Sequence, residues 1–257
     1  MSVPPLTWLY VPADRADRVE KAIASRAHAV IVDLEDGVAP AAKEQARANL
    51  PELLGRRREK PVYVRINAGS SADLEVVAEL ALEGVVVPKV ERTEDLPQGL
   101  QVNALIESAA GLEAAYEIAL HPQVAGISLG EADLRSQTGA LESGLDWARG
   151  RIVNAAVAAG LPRPPQSVYP QVRDLEGLAE SCRRGRALGH LGRAAIHPDQ
   201  LPVIEQAYLP TEEEVARARA TIERLQEGIG TVGAGDFVDA AMLGAAQQIV
   251  AIAERYG

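Results

Sequence analysis

Short apolar runs recur along the chain, with polar, helix-patterned stretches between them. The runs are Trp8–Val11, Ala29–Leu34, Val62–Ile66, Val85–Val87, Val102–Ile106, Val124–Leu129, Ser167–Tyr169 and Arg193–Ile196. Several are rich in Val and Ile and most lack alternation, the pattern of parallel strands covered on both faces. The intervening segments Ala16–Ala24, Ala41–Leu54, Asp73–Leu82, Gly111–Ala119, Leu145–Ala159 and Leu175–Leu188 carry apolar residues at three- and four-residue spacing, which predicts helices. Strands alternating with helices imply right-handed βαβ units. About eight such units in a chain of 257 residues predict an α/β fold of the TIM (β/α)8 barrel type over residues 1–200. An open doubly wound sheet is the main rival. Against it, no Gly-x-Gly-x-x-Gly follows the first run, where a dinucleotide-binding fold places it. Residues 201–257 read as a C-terminal helical extension packing on the barrel or on a neighbouring subunit. In it, Glu212–Gln226 forms one helix with Thr211 as N-cap, Gly228–Gly235 a glycine-rich break, and Phe237–Tyr256 a last helix.

Composition narrows the function. A net charge of -10 argues against nucleic acid as a partner, because such binders neutralise phosphates with clustered cations. Basic residues gather only at Arg56, Arg57, Arg58 and Lys60 and at Arg183, Arg184 and Arg186; these read as solvated faces, or as contacts for an anionic ligand. A single cysteine, Cys182, fits a reducing compartment. The start shows no signal-peptide pattern and no apolar run approaches the roughly 20 residues of a membrane helix. A soluble, cytoplasmic protein is expected.

In a barrel the chemistry sits at the carboxyl ends of the strands, and here those ends are charged. The second run ends in Asp33-Leu34-Glu35-Asp36, the third in Arg65-Ile66-Asn67 and the fourth in Pro88-Lys89. The fifth ends in Glu107-Ser108, the sixth in Gly130-Glu131-Ala132-Asp133 and the eighth in His197-Pro198. Glu107 and Asp133 close adjacent strands and can share a divalent cation; an oxygen-only pair suits Mg2+ or Mn2+ rather than Zn2+. The plain alternative is that one of them salt-bridges Arg65 or Lys89. Arg65 offers bidentate recognition of a carboxylate. A metal beside an arginine suits a 2-oxo or 2-hydroxy acid, and such a metal acts as a Lewis acid on an enolate. Lys89 reads as an ion-pair partner rather than a Schiff-base lysine, since crowding acids raise its pKa. His197 is either structural or a general base. Ser108 lacks the elbow of a serine hydrolase.

Taken in order, Leu9-Tyr10-Val11-Pro12, Ala29 through Pro40, Arg65-Ile66-Asn67, Leu105 through Gly111, Gly130 through Leu134, Ile196 through Gln200 and Val238-Asp239 resemble the citrate lyase β-subunit family, within the HpcH/HpaI aldolases. The resemblance implies a TIM barrel that binds Mg2+ and makes or breaks a C–C bond next to a thioester of coenzyme A or an acyl carrier protein. By it, Glu107 and Asp133 hold the metal, with Glu107 also meeting the substrate; Arg65 grips the substrate carboxylate. Glu35 and Asp36 accept hydrogen bonds from metal-bound waters, and Asp239 acts as acid or base at the acetyl carbon, in some relatives from a neighbouring subunit. Homotrimers or hexamers are implied as well. The family order Gly-Ala-Glu-Asp is Gly130-Glu131-Ala132-Asp133 here, so the glutamate is displaced. The expected activity is Mg-dependent cleavage of a citryl-, citramalyl- or malyl-type thioester into an acetyl-thioester and a 2-oxo acid such as oxaloacetate. The alternatives are a metal-dependent 4-hydroxy-2-oxo-acid aldolase without a thioester, and a non-catalytic subunit binding an acid or a carrier.

Overall fold

The computed structural model describes residues 3–226 and 239–257. Strands β1 (Thr7–Pro12), β2 (Ala29–Asp33), β3 (Val62–Arg65), β4 (Gly84–Val87), β5 (Val102–Ile106), β6 (Val124–Leu129) and β7 (Arg193–Ala195) alternate with helices. These are α1 (Ala16–Ala24), α2 (Lys43–Leu54), α3 (Ser71–Val77), α4 (Ala109–Ala119), α5 (Glu131–Thr138), α6 (Asp146–Ala158), α7 (Leu175–Ala187), α8 (Gln200–Tyr208), α9 (Glu212–Gln226) and α10 (Leu243–Tyr256). Chain contacts divide into two compact units, Pro5–Ala207 and a C-terminal unit from Tyr208 that includes Pro4.

In the larger unit, all seven strands are parallel and lie in the order β6-β5-β4-β3-β2-β1-β7. The sheet is strongly curled. Trp8 on β1 shares one buried cluster with Ala29 and Ile31 on β2, Val86 on β4, Leu105 on β5 and Ala194 on β7, a grouping that a flat sheet would not allow.

 The residues that face this cluster recur at every second position, as side chains of a pleated strand must. Above Ile31 on the same face comes Asp33, above Tyr63 comes Arg65, and above Leu105 comes Glu107, so one register carries both the apolar plug and the polar residues over it.

The expected strand at Ser167–Tyr169 is a departure. Only Gln166 bridges β7, through Arg193, and no ladder forms. Pro164, Pro165 and Pro170 flank this segment, and proline cannot donate to a ladder. Side chains and single backbone bonds take its place: Gln166 N–H donates to Gly192 (2.9 Å), Ala194 N–H donates to Gln166 (2.9 Å), and the Ser167 hydroxyl donates to the Leu129 carbonyl.

The helices start where side chains can satisfy their first amides. Ser70 Oγ accepts from Asp73 N–H before α3, Ser108 Oγ from Gly111 N–H before α4, and Asp174 Oδ1 from Gly177 N–H before α7. α5 and α8 were not read from the sequence. In the C-terminal unit, Thr211 caps α9 as expected. Its hydroxyl accepts from Glu214 N–H (3.1 Å) while Glu214 accepts from Thr211 N–H (2.8 Å), a reciprocal capping box. The last helix begins at Leu243 after a short turn at Ala240–Met242; the glycine-rich Gly228–Gly235 segment and the expected helix start at Phe237 lie outside the described residues. Among the described residues no helix is long and apolar enough to cross a membrane.

Candidate active site

The carboxyl ends of β2 to β6 carry the charged residues that the sequence singles out. Asp33 and Arg65 are register partners on neighbouring strands. Arg65 Nε donates to Asp33 Oδ1 and Nη2 to Asp33 Oδ2, both at 2.7 Å, a bidentate pair. The same carboxylate accepts from Glu35 N–H (2.9 Å) and Gly37 N–H (2.8 Å), which folds the Leu34–Gly37 turn around it. Residue 37 has to be glycine for this close approach, because a Cβ there would lie 2.5 Å from Asp33 Oδ2. Arg65 Nη1 lies 2.8 Å from Glu35 Oε2, and Lys89 Nζ lies 3.0 Å from Glu35 Oε1. Both are ion-pair contacts, and among the described residues neither buried Glu35 oxygen has an aligned hydrogen-bond donor. Tyr10 lies beneath, its ring 5.1 Å from the Arg65 guanidinium. Burial raises the Tyr10 hydroxyl pKa, with the Asp33 charge adding to it and Arg65 opposing it. Burial also opposes the charge on Arg65, but the Asp33 pairing outweighs it and the guanidinium stays firmly protonated.

On the other side of the rim the charges are not balanced. Glu107 is buried, and burial pushes its pKa up to about 8, helped by the charge on Glu35 and by Asp133; the Lys89 N–H, donating to Glu107 Oε1 at 2.8 Å, opposes the rise. Asp133 reaches Glu107 from the first turn of α5 and is exposed. Gly130, between them in the chain, leaves the room: a Cβ there would lie 2.5 Å from both Cβ and Oε2 of Glu107. Arg65 and Lys89 form their ion pairs with Asp33 and Glu35, so the plain salt-bridge alternative for Glu107 and Asp133 does not hold.

This donor set fits a divalent cation of the Mg2+ kind. Among the described residues no group of three His, Cys, Asp or Glu side chains forms a ready-made cage. Mg2+ needs none, since it is held by one or two carboxylates and keeps several waters. Glu107 with Asp133 would supply the pair, and the Glu35 oxygens, which have no aligned hydrogen-bond donor among the described residues, would supply acceptors for such waters.

The remaining candidates separate. Asp36 is exposed at the rim. Asp239 belongs to the C-terminal unit, where it is exposed and its Oδ1 accepts from Ala241 N–H (3.1 Å), capping the turn before α10. His197 is a turn residue: its ring Nδ1 accepts from Asp199 N–H, and buried Gln200 accepts from the N–H of Ile196 and of His197. Ser108 is a helix cap. Lys89 is an ion-pair partner, and its pKa is raised by its contact with Glu35 and then by that charge. The basic runs serve structure: Lys60 Nζ donates to Ser25 O, Arg58 to Leu53 O, and Arg183 and Arg184 pair with Glu180 and Asp146.

Sequence reading alone missed three features. Asp33 is the clamp for Arg65, a role signalled by the two-residue period that puts both on the inner face. Tyr10 stacks under that arginine. Glu131, displaced from the usual family position, pairs with buried Arg149, Nε to Oε1 at 2.8 Å and Nη2 to Oε2 at 2.6 Å.

Comparison with known proteins identifies relatives along nearly the whole chain. A citrate lyase subunit beta-like protein of Mycobacterium tuberculosis is 36% identical over 257 residues, covering 92% of this chain and 91% of that protein. A (3S)-malyl-CoA thioesterase of Cereibacter sphaeroides is 34% identical over 275 residues, covering 96% of this chain and 93% of that protein. The structure of the CitE protein from Mycobacterium tuberculosis, in complex with magnesium, acetoacetate and coenzyme A, superposes with a TM-score of 0.85 at 35% identity, covering 98% of this chain and 99% of that one. The HpcH/HpaI aldolase/citrate lyase family matches residues 6–103 and 96–198, and the chain belongs to that family.

Proposed function

We propose that this protein is a Mg2+-dependent carbon–carbon lyase that cleaves a malyl-, citramalyl- or citryl-type thioester into an acetyl-thioester and a 2-oxo acid. The observation that carries the reading is the buried Glu107 facing Asp133, with no salt bridge to either among the described residues, beside an arginine clamped by Asp33. Glu107 and Asp133 would hold the metal, with Glu35 and Asp36 beyond them toward its waters. Bound there, Mg2+ supplies Lewis-acid polarisation of the carbonyl and carboxylate of the acid.

The chain's own residues supply the rest. Arg65 has five N–H donors, and three of its contacts are taken by Asp33 and Glu35, so donors remain for a substrate carboxylate. In the cleavage direction the substrate hydroxyl loses its proton to a base, the C–C bond breaks, and its electrons pass to the acetyl carbon as a thioester enolate. Protonation of that carbon completes the reaction, and Asp239, from its own chain or a neighbour's, is the residue assigned to the proton. Coenzyme A is favoured over a carrier protein as the thiol because the related CitE protein was solved with coenzyme A.

The same reading takes the curled sheet as a (β/α)8 barrel closed through residues 166–169, supported by the bonds of Gln166 and Ser167 to both edges. It also takes the protein as a homotrimer or hexamer, supported by the exposed apolar side chains Tyr116 and Leu120 near α4 and Trp147 and Val157 on α6. The deciding experiment is incubation with malyl-, citramalyl- and citryl-coenzyme A, with and without Mg2+. A 2-oxo acid with acetyl-coenzyme A is the expected product pair. Intact hydroxy acid with free coenzyme A would instead mean a thioesterase, and no turnover of any of the three, with Glu107→Ala unchanged, would sink the reading.

A further inference from the structure

Lys89 is the one non-glycine residue among the described residues with a positive φ, +57°. That left-handed turn is disfavoured for a residue with a Cβ. Its consequence is local. Directly after β4, one residue directs its amide to one carboxylate and its side chain to another: the N–H donates to Glu107 Oε1 at 2.8 Å, while Nζ lies 3.0 Å from Glu35 Oε1. Glu35 and Lys89 differ in exposure. The Glu35 side chain is 5% exposed and already faces Arg65, whereas the Lys89 side chain is 55% exposed. A solvent-exposed ammonium leaves such a contact at little cost, since exposed ion pairs are weak.

We propose that the Lys89 ammonium is a placeholder cation: it neutralises Glu35 while the site is empty, competes with the incoming divalent cation for the same negative field, and then turns to an anionic group of the substrate. The backbone N–H keeps Glu107 in place throughout. Lys89 is thus a positioning residue in the unloaded site and a substrate-binding residue in the loaded one. This inference rests on the reading of Glu107 and Asp133 as a divalent-cation pair.

The test is calorimetric titration of Mg2+ into the metal-free protein, for the wild type, Lys89→Gln and Lys89→Gly. Glycine adopts the left-handed backbone without strain and so preserves the amide contact to Glu107. A placeholder predicts that both variants bind Mg2+ about fivefold more tightly, because a nearby positive charge has been removed. With the thioester substrate, KM should rise about tenfold while kcat changes less than about threefold, and Lys89→Arg should restore KM. A lysine that merely braces the site predicts the opposite sign, weaker Mg2+ binding on its removal. Equal or weaker binding in both variants, with the wild type titrating normally, overturns the inference alone. A wild type that takes up no Mg2+ overturns the proposed function along with it.

Discussion

The two halves of the rim hold similar numbers of acids and treat them differently. At β2 and β3, Asp33 and Glu35 are met by Arg65 and Lys89, and Asp33 also accepts two backbone amides. At β5 and β6, Glu107 and Asp133 face each other, and Glu107 accepts from the Lys89 backbone amide. In the first half, the Asp33–Arg65 pair has its geometry set before any ligand arrives. The second keeps an unmet electrostatic demand, which is what a site for an added cation requires. A binding site is therefore not where charges are most numerous but where the fold leaves them uncompensated.

The largest expected effect comes from unbalancing the first half. Asp33→Ala leaves the Arg65 guanidinium buried without its bidentate partner, and removing one side of such a pair costs roughly 3 kcal/mol of stability. Urea denaturation at pH 7 measures it. A loss below about 1 kcal/mol would mean that Glu35 alone can balance the arginine, and the contrast between the halves would weaken.

Glu107→Gln should act in the opposite direction. In the metal-free protein it removes a buried charge held near a like charge, so the fold gains about 2 kcal/mol at pH 8 while Mg2+ binding and turnover are lost. The sign follows from the raised pKa. The folded protein holds this proton more tightly than the unfolded chain does, so wild-type stability falls as pH rises from about 4.5 to about 8. In chelator-treated protein, the variant's denaturation midpoint should lack that fall.

An acid limb should appear in Glu107→Gln, whereas in the wild type the stability that Glu107 returns as pH falls offsets it. Burial lowers His190 from 6.5 to about 4, with Arg149 and Arg193 assisting and the Pro164 carbonyl and Glu131 opposing. A histidine kept neutral in the fold stabilises it above pH 6.5, and that stability is lost as pH falls toward 4, by roughly 3 kcal/mol at most. Midpoints measured from pH 7 down to pH 4 check this. A Glu107→Gln protein with no loss over that range would show that His190 can be protonated in place.

Much of this was legible in the sequence because strand periodicity and function point the same way. Runs ending in Asp33, Arg65, Glu107 and Gly130 mark strand ends, and the residues that end them gather at one rim. Partner choice was not legible. Arg65 pairs with Asp33 because β2 and β3 align at that register, and one sequence does not state its register. Arg149 finds Glu131 across 18 residues of loop and helix, and the Lys89 turn has no glycine to announce it. The Ser167–Tyr169 strand was over-read because its apolar pattern outweighed the three prolines around it, although each of them removes a donor.

The smallest expected effect tests how the balanced half is supported from below. Tyr10 is one step along β1 from the apolar plug, pairs in register with Ile31, and presents its ring to the Arg65 guanidinium at 5.1 Å. The aromatic face, not the hydroxyl, makes that contact. Tyr10→Phe should therefore keep stability within about 0.5 kcal/mol, whereas Tyr10→Leu should lose about 1 kcal/mol and raise KM a few-fold as the arginine loosens. Thermal melts and steady-state kinetics on the two variants separate these outcomes. If Phe and Leu behave alike, Asp33 alone holds Arg65, and the rigidity of this half comes from the salt bridge and its backbone amides rather than from the layer beneath it.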